Sequence, residues 1–400
     1  MKRNPIPTSA LLTLLALVAS SLIGQDTIRP TGDANVSLKL EIERAISKGA
    51  AFLESTQDSE TGSWSDPTLP ALTALPISAI LGDPALAGKS ELPESAAKGY
   101  DFLLSNVKSD GGIYGKGLAT YNTAISVMAL VQSGQEEHLP VIAKARRLLI
   151  NQQQDYDKRG ETDNLFDGGI GYGGSYAHSD LSNTYFALEA LYYSRKVLSD
   201  TDYEDSSEFD LDWDAAIEFV SRTQNSAETI ERLGETAALR EEDEGGFIYF
   251  PGNTKSDVIT VPGDDGKERT ALRSYGSMSY AGLLSFIYAE MDRDDPRIAL
   301  VMNWLQNNYT LEENPGMDAQ GLYYYYHTMS KALAITGTTH LETEDGKKID
   351  WKQDLALEVM SRQQQDGSWI NVDSNRWMED DSAMVTAYSL LTLQHVYRNL

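Results

Sequence analysis

Chemistry in this chain would have to come from carboxylates, histidines and tyrosines, because the 400 residues include no Cys and only five His. Adjacent carboxylates stand at Asp380 and Asp381, directly ahead of the apolar stretch Ser382 to Leu393. A carboxyl aimed into an apolar space can hold a proton for general-acid work, whereas the same residues at a helix start cap it. His178 lies two residues from Asp180, a spacing that suits acid–base work near neutral pH. Tyr323-Tyr324-Tyr325-Tyr326-His327 is the most unusual run; on a helix its members point about 100° apart, so only part of it faces any one partner. Without thiols there is no thiolate zinc site, Fe–S cluster or thiol nucleophile. No Walker loop, G-x-S-x-G elbow or H-E-x-x-H pair occurs. The chain implies no cofactor and no metal site; the acidic run Asp200 to Asp214 is read as a solvated loop that caps the next helix through Asp210 or Asp212, with calcium as the sharper alternative.

The elements that position these residues follow from a repeat. Six glycine turns recur, at Gly62, Gly111, Gly168, Gly245, Gly321 and Gly367. Each follows a segment with apolar residues three and four apart and precedes a more apolar segment of small residues. Thr120 to Ser133 and Ser382 to Leu393 exemplify the second kind. The unit is helix, glycine turn, helix, with amphipathic helices outside and apolar helices inside. Strand patterns are almost absent. The stretch Ser226 to Arg269 interrupts the fourth hairpin with a charged helical piece at Ile230 to Arg240 and two Pro-Gly pairs. It should hang over one mouth of the ring, as an ornament or a lid.

Six such hairpins, with Gln363 to Trp369 (QQQDGSW) and Gln57 to Trp64 as the clearest turns, resemble the repeats of squalene/hopene cyclases and prenyltransferase β-subunits. The resemblance spans about residues 40–400 and implies an all-α fold, a single (α/α)6 toroid. It also implies that Asp380 matches the cyclases' proton donor and Asp381 its neighbour, although Met378 stands where the family motif has its first aspartate. Prenyltransferase zinc chemistry is not implied, since it needs a cysteine. In a toroid the starts of the inner helices line one mouth, which nominates Tyr121, Tyr172, His178, Asp180, Tyr275, Tyr325, His327 and Trp377 as ligand-binding residues.

Charge and the N-terminus narrow the setting. Sixty acidic against 33 basic residues give a net charge of −27, which disfavours a nucleic-acid surface. Met1-Lys2-Arg3 followed by the apolar Ala10 to Ile23 is expected to be a signal peptide over residues 1–24, with a linker at 25–39 and export to the periplasm or medium. Fourteen apolar residues are short for a bilayer span of about 20, and no transmembrane segment is expected in the mature chain. Three functions stay open: a cyclase-like enzyme or binder for a hydrophobic isoprenoid, a non-catalytic toroid for a small ligand or envelope protein partner, and a carbohydrate-active enzyme. A deep apolar pocket, a filled centre and an open groove with convergent carboxylates would favour them in that order.

Overall fold

The computed structural model describes residues 35–400 except 90, 175–177, 207–208, 264 and 344–345; the expected signal peptide lies outside the described residues. Six outer helices, α1 (Val36–Thr56), α3 (Glu94–Ser105), α5 (Leu139–Asn151), α7 (Trp213–Arg222), α10 (Pro296–Asn307) and α12 (Trp351–Ser361), alternate with six inner ones. The inner helices are α2 (Ala71–Leu81), α4 (Ala119–Ser133), α6 (Leu181–Leu198), α9 (Gly276–Tyr288), α11 (Leu322–Thr336) and α13 (Ser382–Asn399). Each inner helix packs on the next, and α13 returns onto α2, so the ring closes. This is the all-α toroid expected from the repeat. Helix α1 begins at Val36, inside the stretch expected to be linker.

The two helix classes differ as their sequences require. Outer helix α1 buries one stripe, Ile42, Ala45, Ile46, Gly49, Ala50 and Leu53, against its neighbours. Inner helix α9 buries every residue but Ile287, because it is covered on all sides.

Three kinds of contact at the turns set the spacing of the repeats. Gly62, Gly111, Gly168, Gly245 and Gly367 all have positive φ, between 76° and 94°. Each lies so close to a backbone carbonyl of the next outer helix (Lys98, Lys144, Ala215, Leu300 and Lys48) that a Cβ would come within 2.6 Å of its oxygen. Four glutamines staple the same joint. The side-chain amide of Gln57 donates to the carbonyls of Gly62 and Ser95, each at 2.8 Å, and Gln153, Gln224 and Gln363 repeat the arrangement. Gln363 reaches Ala45 of the first helix at 2.9 Å and thereby locks the last repeat to the first. Finally, the amide two residues after each of these glycines donates to a hydroxyl of the following inner helix, at Thr73, Thr123, Thr184, Ser279 and Thr386. Gly321 departs from the pattern: a Cβ there would meet the Trp377 indole at 2.9 Å.

The insertion and the acidic run differ from expectation. The charged piece is helical at α8 (Ala227–Leu233) rather than at 230–240, since Gly234 ends it at φ 90°. Beyond it, β1 (Ala237–Ala238), β2 (Val258–Pro262) and β3 (Glu268–Leu272) form a small sheet in the order β1-β3-β2, with β1 parallel and β2 antiparallel to β3. In the acidic run Asp212 caps α7 by accepting from the Ala215 amide. Asp210 is instead drawn inward by the buried Arg146, which also donates to the Leu191 carbonyl at 2.6 Å. Asp205 pairs with Arg147 at 2.6 Å, so the run is pinned to α5 and α6 rather than solvated throughout. No helix among the described residues is long and apolar enough to cross a membrane.

Gly367→Ala is expected to destabilise the protein by about 3 kcal/mol or more, because it adds both backbone strain and a clash with the Lys48 carbonyl. Gly117→Ala shares a positive φ of 84° but meets nothing within 4 Å, and should lose only about 1 kcal/mol. Urea denaturation of the two variants separates the clash from the strain.

Candidate functional site at the toroid mouth

All six inner helices start at the same mouth, and there side chains of the third and fourth repeats meet at one carboxylate. Asp180 caps α6 and is fully buried, accepting from the Asn183 amide at 2.9 Å and its side-chain amide at 2.8 Å. Burial outweighs these bonds and pushes its carboxyl up to about 6; the nearby Tyr249 hydroxyl and His178 act in the opposite sense. Tyr249 donates to the Tyr172 hydroxyl at 3.3 Å, and Tyr275, buried at the start of α9, senses the Asp180 charge. Tyr121 and Ser182 are half-buried at the starts of α4 and α6, as is Tyr324 on α11. Burial raises the Tyr121 phenol to about 12 and those of Tyr249, Tyr275 and Tyr324 far above their ordinary value, so all four are neutral hydroxyls at physiological pH. The arrangement offers a run of phenolic donors and acceptors, from Tyr249 and Tyr275 through Tyr172 to Tyr121 and Tyr324, that begins beside one acid able to exchange a proton near neutrality.

Below this run of phenols the axis is filled by side chains. The Tyr121 ring meets Phe186 edge-on at 5.4 Å between centroids, and Phe186 meets Tyr324 at 6.0 Å. Tyr324 lies 5.9 Å from Tyr388, whose ring lies 5.4 Å from His327. One level deeper, the Lys331 ammonium donates to both oxygens of Glu189, at 2.8 and 3.0 Å. Tyr288 also donates to Glu189 at 3.0 Å. A charged, hydrogen-bonded pair on the axis needs those partners to survive desolvation. The column is therefore aromatic and polar, not a purely apolar tunnel.

The sequence-nominated residues divide by place. Asp180, Tyr121, Tyr172 and Tyr275 meet at the mouth. His178 is near, but its ring packs at a tilt against Phe250, 4.5 Å between centroids, and Phe166, 6.1 Å away. His327 lies deeper, buried, and burial holds its imidazole well below its ordinary range, hence neutral. Tyr325 faces away from the axis, donating to the Thr310 carbonyl at 2.9 Å, and Tyr324 is the member of the run that reaches the centre. Asp381 caps α13 by accepting from the Ala383 and Met384 amides, each at 3.0 Å. Asp380 is exposed. The buried acid of that motif is Glu379, only 1% exposed, whose Oε1 accepts from the Tyr323 and Tyr324 amides at 2.9 and 3.0 Å. Its Oε2 accepts from the Asn371 side chain at 2.7 Å, and burial pushes its carboxyl up to about 7. Trp377 sits on the rim, 43% exposed.

Residues the sequence reading passed over are Tyr249, Ser182, Tyr388, Glu379 and the Glu189–Lys331 pair. Glu189 and Lys331 did carry a signal, as single charges of opposite sign in otherwise uncharged inner stretches. Tyr249 carried one as well, standing two residues after Phe247 as Tyr172 stands two after Ile170.

No family model and no curated protein matches the sequence. Among solved structures, a type II terpene cyclase, MstE from Scytonema, in complex with its substrate geranylgeranyl dihydroxybenzoate is similar, with a TM-score of 0.53 and 11% identity over 90% of this chain and 99% of that one. A D-mannose isomerase is similar with a TM-score of 0.54 and 12% identity, over 94% of this chain and the whole of the other. Protein geranylgeranyltransferase-I from Candida albicans reaches 0.49 at 13% identity, over 87% of this chain and 90% of that one. The chain thus has the α/α-toroid fold of terpenoid cyclases.

Glu379 also yields a pH test. Its carboxyl keeps a proton in the folded protein up to about pH 7, whereas the unfolded chain releases it near 4.5. The folded state therefore binds more protons between those values, and stability from this group rises as pH falls through that window. The difference in Tm between wild type and Glu379→Gln is expected to shift in favour of wild type on going from pH 8 to pH 5, as read by calorimetry.

Proposed function

We propose that this α/α toroid is an exported binding protein for a polar, ring-bearing small molecule of the carbohydrate class, held at the tyrosine-lined mouth around Asp180. The observation that carries this reading is the run of phenols at the mouth: Tyr249 and Tyr275 lie beside the buried Asp180 carboxyl, Tyr249 bonds Tyr172, and Tyr121 and Tyr324 lie next to Tyr172. Sugars present apolar C–H faces that suit aromatic rings and hydroxyls that exchange hydrogen bonds with phenols and carboxyls. A polyisoprenoid offers nothing to those hydroxyls, and the Glu189–Lys331 pair further down the axis makes the column a poor receptacle for a long hydrocarbon. Asp180 is also the group best suited to donate or accept a proton should the ligand be turned over, a role for which exposed Asp380 lacks the buried setting.

Titration calorimetry against neutral mono- and oligosaccharides, with geranylgeraniol in detergent as the competing ligand, tests the reading. Saccharide binding should weaken roughly tenfold or more in Tyr324→Phe and in Asp180→Asn, since each loses a hydrogen bond in a desolvated site. Asparagine caps a helix about as well as aspartate, so the second variant keeps the fold. Tight geranylgeraniol binding with no saccharide binding would replace this reading by the isoprenoid one.

Export is part of the proposal and rests on the Lys2-Arg3 and Ala10–Ile23 leader pattern. The protein recovered from the periplasm or medium of a Gram-negative host is expected to begin near Gln25, which intact mass spectrometry reads directly.

A further inference from the structure

On the rim beside the mouth, the segment from Asn371 to Asp381 holds a tryptophan in a conformation that ordinary residues avoid. Trp377 has φ 57° and ψ 31°, and Met378 follows at φ 65°, so two successive residues with side chains occupy the left-handed region. Such strain persists where the surroundings over-determine it. Here they do. The Asn371 amide donates to the Glu379 carbonyl at 2.9 Å, its side chain donates to the Ala319 carbonyl at 2.7 Å, and the Asp381 amide donates to the Met378 carbonyl at 2.9 Å. Glu379 ties the segment to the first turn of α11, and Arg376 donates to the Gln320 side chain. The indole rests against Gly321, where any Cβ would collide with it, and the Arg376 guanidinium lies 4.5 Å from the ring centroid.

With all this the indole remains 43% exposed, and Val372 and Met378 of the same segment are 81% and 36% exposed. The five other tryptophans of the chain are buried or half-buried. A segment strained only to complete the fold would turn its largest apolar side chain inward, because burying it is the larger gain. This one fixes the ring at the surface, two to three residues of α11 away from Tyr324, and the charge of Arg376 is felt at Tyr275 in the mouth.

Resting on the carbohydrate reading of the mouth, we infer that Trp377 is a stacking platform for a second sugar ring, so that the ligand is an oligosaccharide whose chain crosses the rim between α11 and α13. One ring sits among the phenols around Asp180. The next lies on the indole, which is pre-set and loses little freedom on binding. Trp377 then sets preference for chain length rather than for the first ring.

The test is calorimetric and fluorimetric titration of the whole mature protein with glucose, mannose and N-acetylglucosamine and with the di- to hexasaccharides of starch, cellulose, mannan and chitin. Wild type should bind a matching oligosaccharide more tightly than its monosaccharide. Trp377→Ala should remove that increment, lowering oligosaccharide affinity roughly tenfold more than monosaccharide affinity, while Trp377→Phe restores part of it. Comparing the tryptophan emission change on saturation in wild type and Trp377→Phe assigns the contact to this indole. Saccharide binding in which Trp377→Ala keeps the full chain-length increment overturns the platform and leaves the mouth reading standing. No saccharide binding by folded wild type, checked by circular dichroism, overturns both.

Discussion

The contact on which the ring depends is a glycine without a Cβ resting on the backbone carbonyl of the next outer helix. At Gly62, Gly111, Gly168, Gly245 and Gly367 there is no room for a side chain and the backbone is left-handed. A neighbouring glutamine bonds both the glycine and the adjacent helix in four of these five turns. Because the glycine contacts are made backbone to backbone, they require no particular side chain on the facing helix, and each fixes the rotation from one hairpin to the next. Repetition of one rotation closes a ring, and the Gln363–Ala45 and Gly367–Lys48 contacts are the closure itself.

The mouth inherits its precision from that closure. Tyr121, Asp180, Tyr275 and Tyr324 lie on different inner helices or their caps, and no two adjacent repeats could bring them together alone. Their phenols and the Asp180 carboxyl are desolvated by one another and by the aromatic layer beneath, which is why the carboxyl is raised and the phenols stay neutral. Where the regular joint fails, at Gly321, the indole of Trp377 takes the place of the next helix's carbonyl. The single irregular turn thus coincides with the rim segment that departs most from ordinary backbone geometry.

Catalysis by protonation, the activity that the Asp380-Asp381 motif suggested, requires a carboxyl out of water. That motif supplies one in Glu379, but its oxygens are engaged by the first turn of α11 and by Asn371, so it acts as a clamp between the last two repeats. Asp180 is the buried acid at the mouth, beside the buried Tyr249 and Tyr275. Fold likeness to a terpene cyclase does not carry its chemistry here, since the same ring of helices also houses sugar isomerisation in another similar structure.

By itself the sequence determined the repeat: glycine turns, one-sided outer helices and small-residue inner helices are local properties, readable from spacing, and they led to a six-hairpin toroid. It also nominated Tyr121, Tyr172, Asp180 and Tyr275 together with His178, Tyr325, His327 and Trp377, because helix starts and the turns before them are local properties too. The rotational phase of each inner helix was not legible. Four consecutive tyrosines give no way to tell that Tyr324 faces the axis while Tyr325 bonds Thr310, for phase is set by packing against both neighbours. Nor could adjacency in the chain decide which of Glu379, Asp380 and Asp381 is buried, since desolvation depends on what the closed ring sets against each carboxyl, and that exists only in the tertiary structure.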